Sequence, residues 1–386
     1  MNILALTNLF PSAWDPLRAS FNRQQFDRLA RVHDLEVMVA IDFRDRHRGR
    51  RGEPPPLSHA RATDFTFWYP PRIGRSLHGL AWYASLMTQR GAALRRGRYD
   101  LLLASWGYPD AVGTARLARA LGIPYVVKVH GSDLNQQANH WLQRRQIASA
   151  LRGARAVVAV SAALAERARE LGPPTDRVHV LYNGVDGDHF RPGDRAAARE
   201  RLCLPPEAPL VLYVGNLKPG KGCLDLLEAF PGLLQRQPDA RLAFVGDGPA
   251  ARALRTRAGE LGIADRVVFA GARAHDELPA WMHAATLLCL PSHNEGVPNV
   301  VLEAMACGLP VVASNVGGIP EVLPTHAGRM VPPRDRQALV DALDEVLRRD
   351  WPPGPITAHA ARYSWHDNIE RLDRILQDAA RPAAPM

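Results

Sequence analysis

Three short segments of the chain hold residues whose types and spacing suit chemistry on a phosphorylated ligand. The first, LYVGNLKPGKG (212–222), leads from an apolar run into a loop with Gly215, Asn216, Lys218, Gly220, Lys221 and Gly222. Glycines let backbone amides approach a phosphate, and Lys221 adds the positive charge a diphosphate attracts. The loop does not match GxxxxGK[ST], so it is not a Walker A loop. A plain strand–turn–helix with a surface lysine is the competing account. The second, SHNEGVPNVVLEAMACGLP (292–310), puts Glu295 in a loop and Glu303 in the second turn of a helix that starts near Pro298–Asn299 and stops at Gly308. Proline at a helix start and glycine past its end fit the usual asymmetry. The amides of Asn299 and Val300 then lie at a helix N-terminus, which favours an anion. Carboxylates flanking such amides suit a sugar nucleotide, the acids taking hydroxyls and the amides the diphosphate. A loop acid and an unrelated acid on a helix surface would look the same. The third, VVKVHGSD (126–133), brings His130 to the end of an apolar run, ahead of a turn containing Asp133. A lone histidine is more often a structural hydrogen-bonder than a catalyst, but the carboxyl end of a parallel strand is where ligands collect. Asp186-Gly187-Asp188 matches D-x-D, a pattern that can hold a metal against a diphosphate. It lies in a linker and not in a strand-end loop, so no metal ligands are assigned.

The elements that must position these residues read as two α/β domains. Of 386 residues, 46% are hydrophobic and 23% charged, which fits a globular chain of two or three domains and excludes a disordered, collagen-like or coiled-coil protein. No apolar run reaches the ~18 residues of a membrane span, and the N-terminus lacks a signal-peptide pattern. Four cysteines without CxxC pairing point to a reducing cytoplasm and no zinc site. Apolar runs at 1–7, 35–41, 99–105, 124–133, 154–161 and 177–186 alternate with helical patterns at 21–31, 76–98 and 107–122, while 44–64, rich in Arg and Pro, reads as a mobile loop. The pattern restarts at 208–217, 240–249, 266–272, 285–292 and 309–318. Alternation of this kind implies parallel sheets covered on both faces. NGVDGDHFRPGD (183–194) reads as the linker, which gives a first domain over 1–187, a second over 188–355 and, after the Pro-rich WPPGP, a last helical piece over 356–386.

Charge separates the two halves. Residues 1–187 carry 26 Lys and Arg against 15 Asp and Glu; residues 188–386 carry 22 against 24. A basic first domain suits an anionic partner such as nucleic acid, an anionic membrane or a phosphorylated acceptor, or else it is a solvated arginine-rich surface. Only three lysines occur, Lys128, Lys218 and Lys221, which suggests sites where a compact ammonium is needed and a guanidinium does not fit.

Together these segments resemble the retaining family 4 glycosyltransferases of the GT-B fold. The specific match is E-x7-E at Glu295 and Glu303, within EGVPNVVLEAMACGLPVVASNVGGIPEVL, with VGNLKPGKG, VHGSD, the NGVD linker and the closing SW-helix in the family's order. The opening NLFPSAWDP with SFNRQQFDRLAR is most similar to the branch that builds bacterial exopolysaccharide and teichuronic acid. The resemblance implies two Rossmann-like parallel-sheet domains facing a cleft, an acceptor-binding one and then a nucleotide-sugar-binding one, with the C-terminal helix crossing back to the first. It implies a UDP- or GDP-linked sugar donor, no cofactor and no required metal. Glu303 would bind the donor ribose and Glu295 the hydroxyls of the transferred sugar. Gly215, Asn216, Lys218, Gly296, Pro298, Asn299 and Val300 would frame the donor, and Lys221 would neutralise the leaving diphosphate. Gly271 and Arg273 would lie near the base, and His130 near the reacting sugar. Arg18, Ser20 and Asp133 would stand on the acceptor side. Asn216 replaces the arginine usual in the family, with Lys218 as the compensating charge, and Arg18-Ala19-Ser20 replaces its N-terminal glycine pair.

The implied activity is transfer of a sugar, with retained configuration, to a lipid-linked or oligosaccharide acceptor during cell-surface polysaccharide synthesis. The enzyme would be cytoplasmic, touching the anionic inner membrane face through 76–98 and the 44–51 arginines. A UDP-N-acetylhexosamine 2-epimerase of the same fold is the alternative. A nucleic-acid binder finds no support, because no RNP-like strand, zinc finger or helix-turn-helix occurs.

Overall fold

The computed structural model describes residues 1–70 and 74–381. They form two compact units, Met1–Asn183 with the chain from Trp365 onward, and Gly184–Ser364. The first break therefore falls at 183/184, where the sequence placed it at 187/188. The return to the first unit comes at Trp365, nine residues beyond the expected 356, because the helix Pro353–Ala360 buries Ile356 and Ala360 in the second unit.

The first unit is a seven-stranded sheet in the order β3-β2-β1-β4-β5-β6-β7. Its strands are β1 Asn2–Thr7, β2 Asp34–Asp42, β3 Arg61–Phe67, β4 Leu101–Ala104, β5 Tyr125–Val129, β6 Ala156–Ala159 and β7 Val178–Val180. The second is a six-stranded sheet in the order β10-β9-β8-β11-β12-β13. Its strands are β8 Leu210–Val214, β9 Arg241–Val245, β10 Val267–Gly271, β11 Leu287–Leu290, β12 Val311–Ser314 and β13 Gly328–Val331. Every pairing is parallel. Successive side chains of a strand point to opposite faces, so such a sheet buries both. Leu4 and Leu6 of β1 pack with Trp82 and Leu86 of the helix His78–Arg96. Ile3 and Ala5 pack with Phe26 of the helix Ser20–Leu29 and with Leu372 and Leu376 of the helix Trp365–Ala380.

The segment 44–64 is not a continuous loop. Phe43–Arg48 is a helix capped by Asp42, and Arg61–Phe67 pairs along β2 from Glu36↔Arg61 to Asp42↔Phe67. An edge strand exposed over its first three residues carries little hydrophobic signal. The strand β13 and the helix Arg336–Arg348 are further additions to the sequence reading.

Lys128 is the one lysine placed in a core. It projects from β5, fully buried, and donates to Gln25 Oε1 (2.6 Å) and Asn183 Oδ1 (3.0 Å). Gln25 Nε2 donates in turn to Asn368 Oδ1, and Asn368 Nδ2 to the carbonyl of Tyr182, both at 2.6 Å. This chain of bonds ties the helix Ser20–Leu29, β5, the segment leaving the first unit and the helix returning to it. Burial lowers the Lys128 pKa to about 7. A neutral amine has two N–H groups, and the two amide oxygens take both. An unfolded lysine with the ordinary value of 10.5 binds a proton that the folded one releases, so stability rises with pH between the two values. From pH 8 to 9.5 the wild type should gain about 1.4 kcal/mol per pH unit relative to Lys128→Met. Thermal unfolding of both proteins across that range measures the difference, and parallel profiles would show that Lys128 stays charged.

Candidate active site

In each sheet the strand order reverses beside the unit's first strand. β8 has β9 on one side and β11 on the other. Loops leaving the carboxyl ends of β8 and β11 turn to opposite faces, and such reversal points open the crevices that α/β sheets use for ligands. Lys221 and Glu295 meet there. Lys221 Nζ donates to both carboxylate oxygens of Glu295, at 2.6 and 2.7 Å. Ser292 Oγ, fully buried, donates to Glu295 Oε1 at 2.7 Å. The His293 amide donates to Gly220 O (3.1 Å), which pins the two loops together. Contact this close needs glycine at 222, where φ is +66° and a Cβ would fall 1.9 Å from Pro291 O. Gly317 serves the same purpose from the loop after β12: φ is +56° and a Cβ would fall 2.0 Å from Glu295 O. The Gly318 amide donates to Gly296 O at 2.7 Å. Glu295–Gly296 is thereby held from both sides.

Glu303 occupies the helix Asn299–Ala306 and has a different partner, His275 Nε2 at 2.9 Å from its Oε1. His275 follows the Gly271–Arg273 segment at the end of β10, so Glu303 and that segment share a neighbourhood. Gly271 O accepts from the Gly246 amide (2.8 Å), and Arg273 reaches Glu277 Oε1 at 3.5 Å. Pro298 is the residue before the helix and offers no side-chain acceptor to the first-turn amides of Asn299 and Val300. Gly215 closes β8, and its amide donates to Val245 O at 3.0 Å. Asn216 and Lys218 are exposed on the loop beyond. Among the described residues no hydrogen bond or ion pair holds the Lys218 ammonium.

At the corresponding ends of β4 and β5 in the first unit, Ser105 and His130 meet at 2.9 Å between Oγ and Nε2. Asn22 Nδ2 donates to Leu9 O (2.8 Å), which fixes that amide and leaves Oδ1 to accept from the Ser105 hydroxyl at 3.2 Å. The single hydroxyl proton is then committed. Ser105 Oγ accepts from His130 Nε2–H, and Nδ1 of the imidazole keeps its lone pair. Burial, and then the charge that Lys128 carries below its own lowered pKa, hold the His130 pKa well below the usual 6.5, so the ring is neutral at physiological pH. Phe21 and Trp106 pack on it with ring centroids at 5.1 and 6.1 Å.

Three acceptor-side expectations fare differently. Asp133 is fully buried and its carboxylate is spent on the backbone amides of Gly107, His130, Gly131 and Leu134. It shapes the His130 loop and offers nothing to a ligand, which corrects the acceptor-side reading. Ser20 opens the helix Ser20–Leu29. Arg18 lines a cavity in the first unit. Ala19 between them sits at φ +48°, the left-handed region where the family places glycine. Sequence reasoning missed Ser292, His275 and Ser105, whose roles arise from loops meeting in space; the Gly317-Gly318 doublet after an apolar run was the one readable signal.

Two family models match the chain: "Glycosyl transferase 4-like domain" over 23–184 and "Glycosyl transferases group 1" over 208–349. A D-inositol 3-phosphate glycosyltransferase of Acidothermus cellulolyticus is 34% identical over 338 residues, covering 80% of this chain and 73% of that protein. The putative teichuronic acid biosynthesis glycosyltransferase TuaC of Bacillus subtilis is 29% identical, covering 92% and 91%. Among solved structures, sucrose-phosphate synthase from Thermosynechococcus elongatus superposes with a TM-score of 0.81 at 21% identity, covering 98% of each chain. Anabaena HepE in complex with UDP-glucose gives 0.78 at 22%, covering 98% of this chain and 99% of that one. With its two Rossmann-like sheets and the matched models on both, the chain belongs to the family 4 glycosyltransferases of the GT-B fold and is a glycosyltransferase of class EC 2.4.

Proposed function

We propose that this enzyme transfers a sugar from a nucleotide-sugar donor, with retained configuration and without a divalent metal, to a lipid-linked or oligosaccharide acceptor in cell-surface polysaccharide synthesis. The observation that carries the reading is the Lys221–Glu295 pair at the reversal point of the second sheet. A departing diphosphate needs positive charge where its own charge grows, and an ammonium held at a fixed position supplies it without reorganisation. Lys218, exposed on the same loop, adds the charge that Asn216 lacks. Glu295 is tied to Lys221 and Ser292, which suits an acceptor of sugar hydroxyls and not a nucleophile. Glu303 beside the 271–275 segment suits a ribose. His130, neutral with Nδ1 open, can accept a hydrogen bond from a hydroxyl of the reacting sugar. Solved HepE complexes with UDP and UDP-glucose support a uridine donor, and the TuaC relative supports a polysaccharide acceptor. Neither the matched models nor the relatives favour the epimerase alternative.

Lys221→Met and Glu295→Gln should each lower turnover by roughly 10²- to 10³-fold, the cost of removing one fixed charge-stabilising group, with the fold intact by circular dichroism. His130→Ala should also slow transfer. Full turnover in all three variants would place the site elsewhere, and complete loss of activity in EDTA would contradict the metal-free route.

Of the apolar surface expected for a membrane contact, only the start of 76–98 is available. The apolar face of His78–Arg96 is spent in the core, with Trp82, Leu86 and Leu94 buried. Arg44, Arg46 and Arg48 are paired with Asp42, Asp64 and Asp45. Exposed apolar side chains gather instead at two helix starts, Leu77 and Leu80 at one and Trp141 and Leu142 at the other. Gln146 Nε2 donates to Ser76 O (2.6 Å) and ties the two together. Arg75 and Arg145 are exposed beside them. Apolar side chains rimmed by arginine suit an anionic bilayer surface. Vesicles containing phosphatidylglycerol should bind the protein at low salt and release it as salt rises. Trp141→Ala with Leu77→Ser should weaken binding by about tenfold or more, as loss of buried apolar area requires. No binding at low salt would remove the membrane contact and leave the transferase intact.

A further inference from the structure

The two acids of the second unit are engaged to different degrees. Both oxygens of Glu295 accept from Lys221, and Oε1 accepts from Ser292 as well. Glu303, 8% exposed, gives only Oε1 to His275 Nε2. Its Oε2 accepts no hydrogen bond among the described residues and is not sealed from solvent. An ionised carboxylate only accepts, so Nε2 of His275 carries the proton of this bond. The type of partner matters. A guanidinium fork matches both oxygens of a carboxylate and would cover it. An imidazole N–H takes one, and Arg273, two residues before His275, lies 3.5 Å from Glu277 instead. Glu303 is thus anchored by one oxygen and left able to accept with the other.

His275 is itself held by the segment that opens the second unit. Its ring stacks against His189, with centroids 5.7 Å apart and 21° between the planes, and stands across Phe190 at 4.9 Å and 73°. Phe190 is 1% exposed, so core packing fixes that contact. His189 Nε2 donates to the carbonyl of His275 at 3.3 Å. The amides of His189 and Phe190 both donate to Asp186 O, at 3.2 and 2.8 Å, and close a turn. The segment is fastened on either side of that turn. The Val185 amide donates to Tyr363 O (2.7 Å), and Arg191 O accepts from His283 Nε2 (2.8 Å). None of these bonds reaches Glu303, and their common effect is on the orientation of one imidazole. The terminal torsion of a glutamate is broad, with no staggered well to fix it. Without His275 the ligand would have to order that torsion itself, at a cost in affinity.

We propose that His275 is a positioning residue for nucleotide recognition: braced by His189 and Phe190, it sets the Glu303 carboxylate so that the open oxygen accepts from a ribose hydroxyl of the donor. His275 has this part only if Glu303 meets the ribose, as in the proposed function. Calorimetric titration of the whole protein compares UDP with 2′,3′-dideoxy-UDP, and GDP with its dideoxy form. The wild type should prefer the ribose form of the nucleotide it binds by about tenfold or more, as expected of a hydrogen bond to a charged group. Glu303→Ala should bring the two forms to within about twofold of each other. His275→Phe keeps a ring against His189 and Phe190 but has no N–H, and the preference should fall by about threefold or more. His275→Ala, which makes no steric demand, should show the same fall and keeps the test open if the phenylalanine does not fit. A general loosening of the site would weaken both forms alike and leave their ratio unchanged, so the ratio isolates positioning. A wild-type ratio in His275→Phe and His275→Ala, with the ratio lost in Glu303→Ala, overturns the proposal and leaves the ribose role of Glu303 standing. A preference that survives Glu303→Ala overturns that role and the part given to His275 with it. Failure of both nucleotides to bind overturns the donor reading as a whole.

Discussion

A carboxylate that is 7% exposed at the end of a parallel sheet has to be neutralised where it stands. Burying an ion costs several kcal/mol, and only a close partner with further hydrogen bonds offsets that. Lys221 and Ser292 provide both for Glu295. The pair can form only if the β8 and β11 loops touch, which requires strands adjacent in space but distant in sequence. It also requires glycine where the loops cross, at 222 and again at 317. The reversal of strand order, the glycine positions and the lysine are therefore one constraint seen at three levels. It also shapes the proposed chemistry: when a diphosphate draws on the ammonium, Glu295 needs replacement donors, and the hydroxyls of a donor sugar are the available ones. Donor and site then satisfy each other, and a bare nucleotide would leave the carboxylate short of a partner.

The scarcity of lysine was a fair guide to place but not to role. Lys221 lies on the loop after β8, paired with Glu295. Lys128 lies in a core, where its worth is the ability to shed a proton and satisfy two amide oxygens as a neutral amine. An arginine could not do this, since its guanidinium stays charged. The same logic of compact, convertible groups extends to His130, whose tautomer is set two bonds away by the orientation of Asn22.

Most of the strands, the helices after β1, β3, β4, β8 and β11, and the order of the site segments were legible because buried parallel strands are continuous apolar runs bounded by turns. β3 was not, since an edge strand with exposed charges has no such run and the arginines and prolines of 49–60 obscured it. Glu295 and Glu303 were legible through their spacing, but their partners were not. Ser292 and His275 become partners only when loops from different strands are brought side by side. Asp133 shows the opposite error. A polar residue next to a candidate histidine looked like part of the chemistry, while its carboxylate is occupied in accepting from four backbone amides, those of Gly107, His130, Gly131 and Leu134.

The two sheets share the order 3-2-1-4-5-6 in their own strand counts, yet the crevices at their reversal points differ in kind. In the second unit Lys221 and Glu295 are already paired with each other, so a ligand must exchange partners with them. In the first, Ser105 gives its proton to Asn22 and takes one from His130, and Nδ1 of that imidazole keeps its lone pair, so a ligand adds a bond without breaking any. Exchange suits a donor whose charge grows during the reaction, because the network can shift toward it as the bond breaks. Addition suits a molecule that only has to be recognised and held still. One backbone plan thus supports two kinds of site, and the difference lies entirely in which side chains the strand-end loops carry.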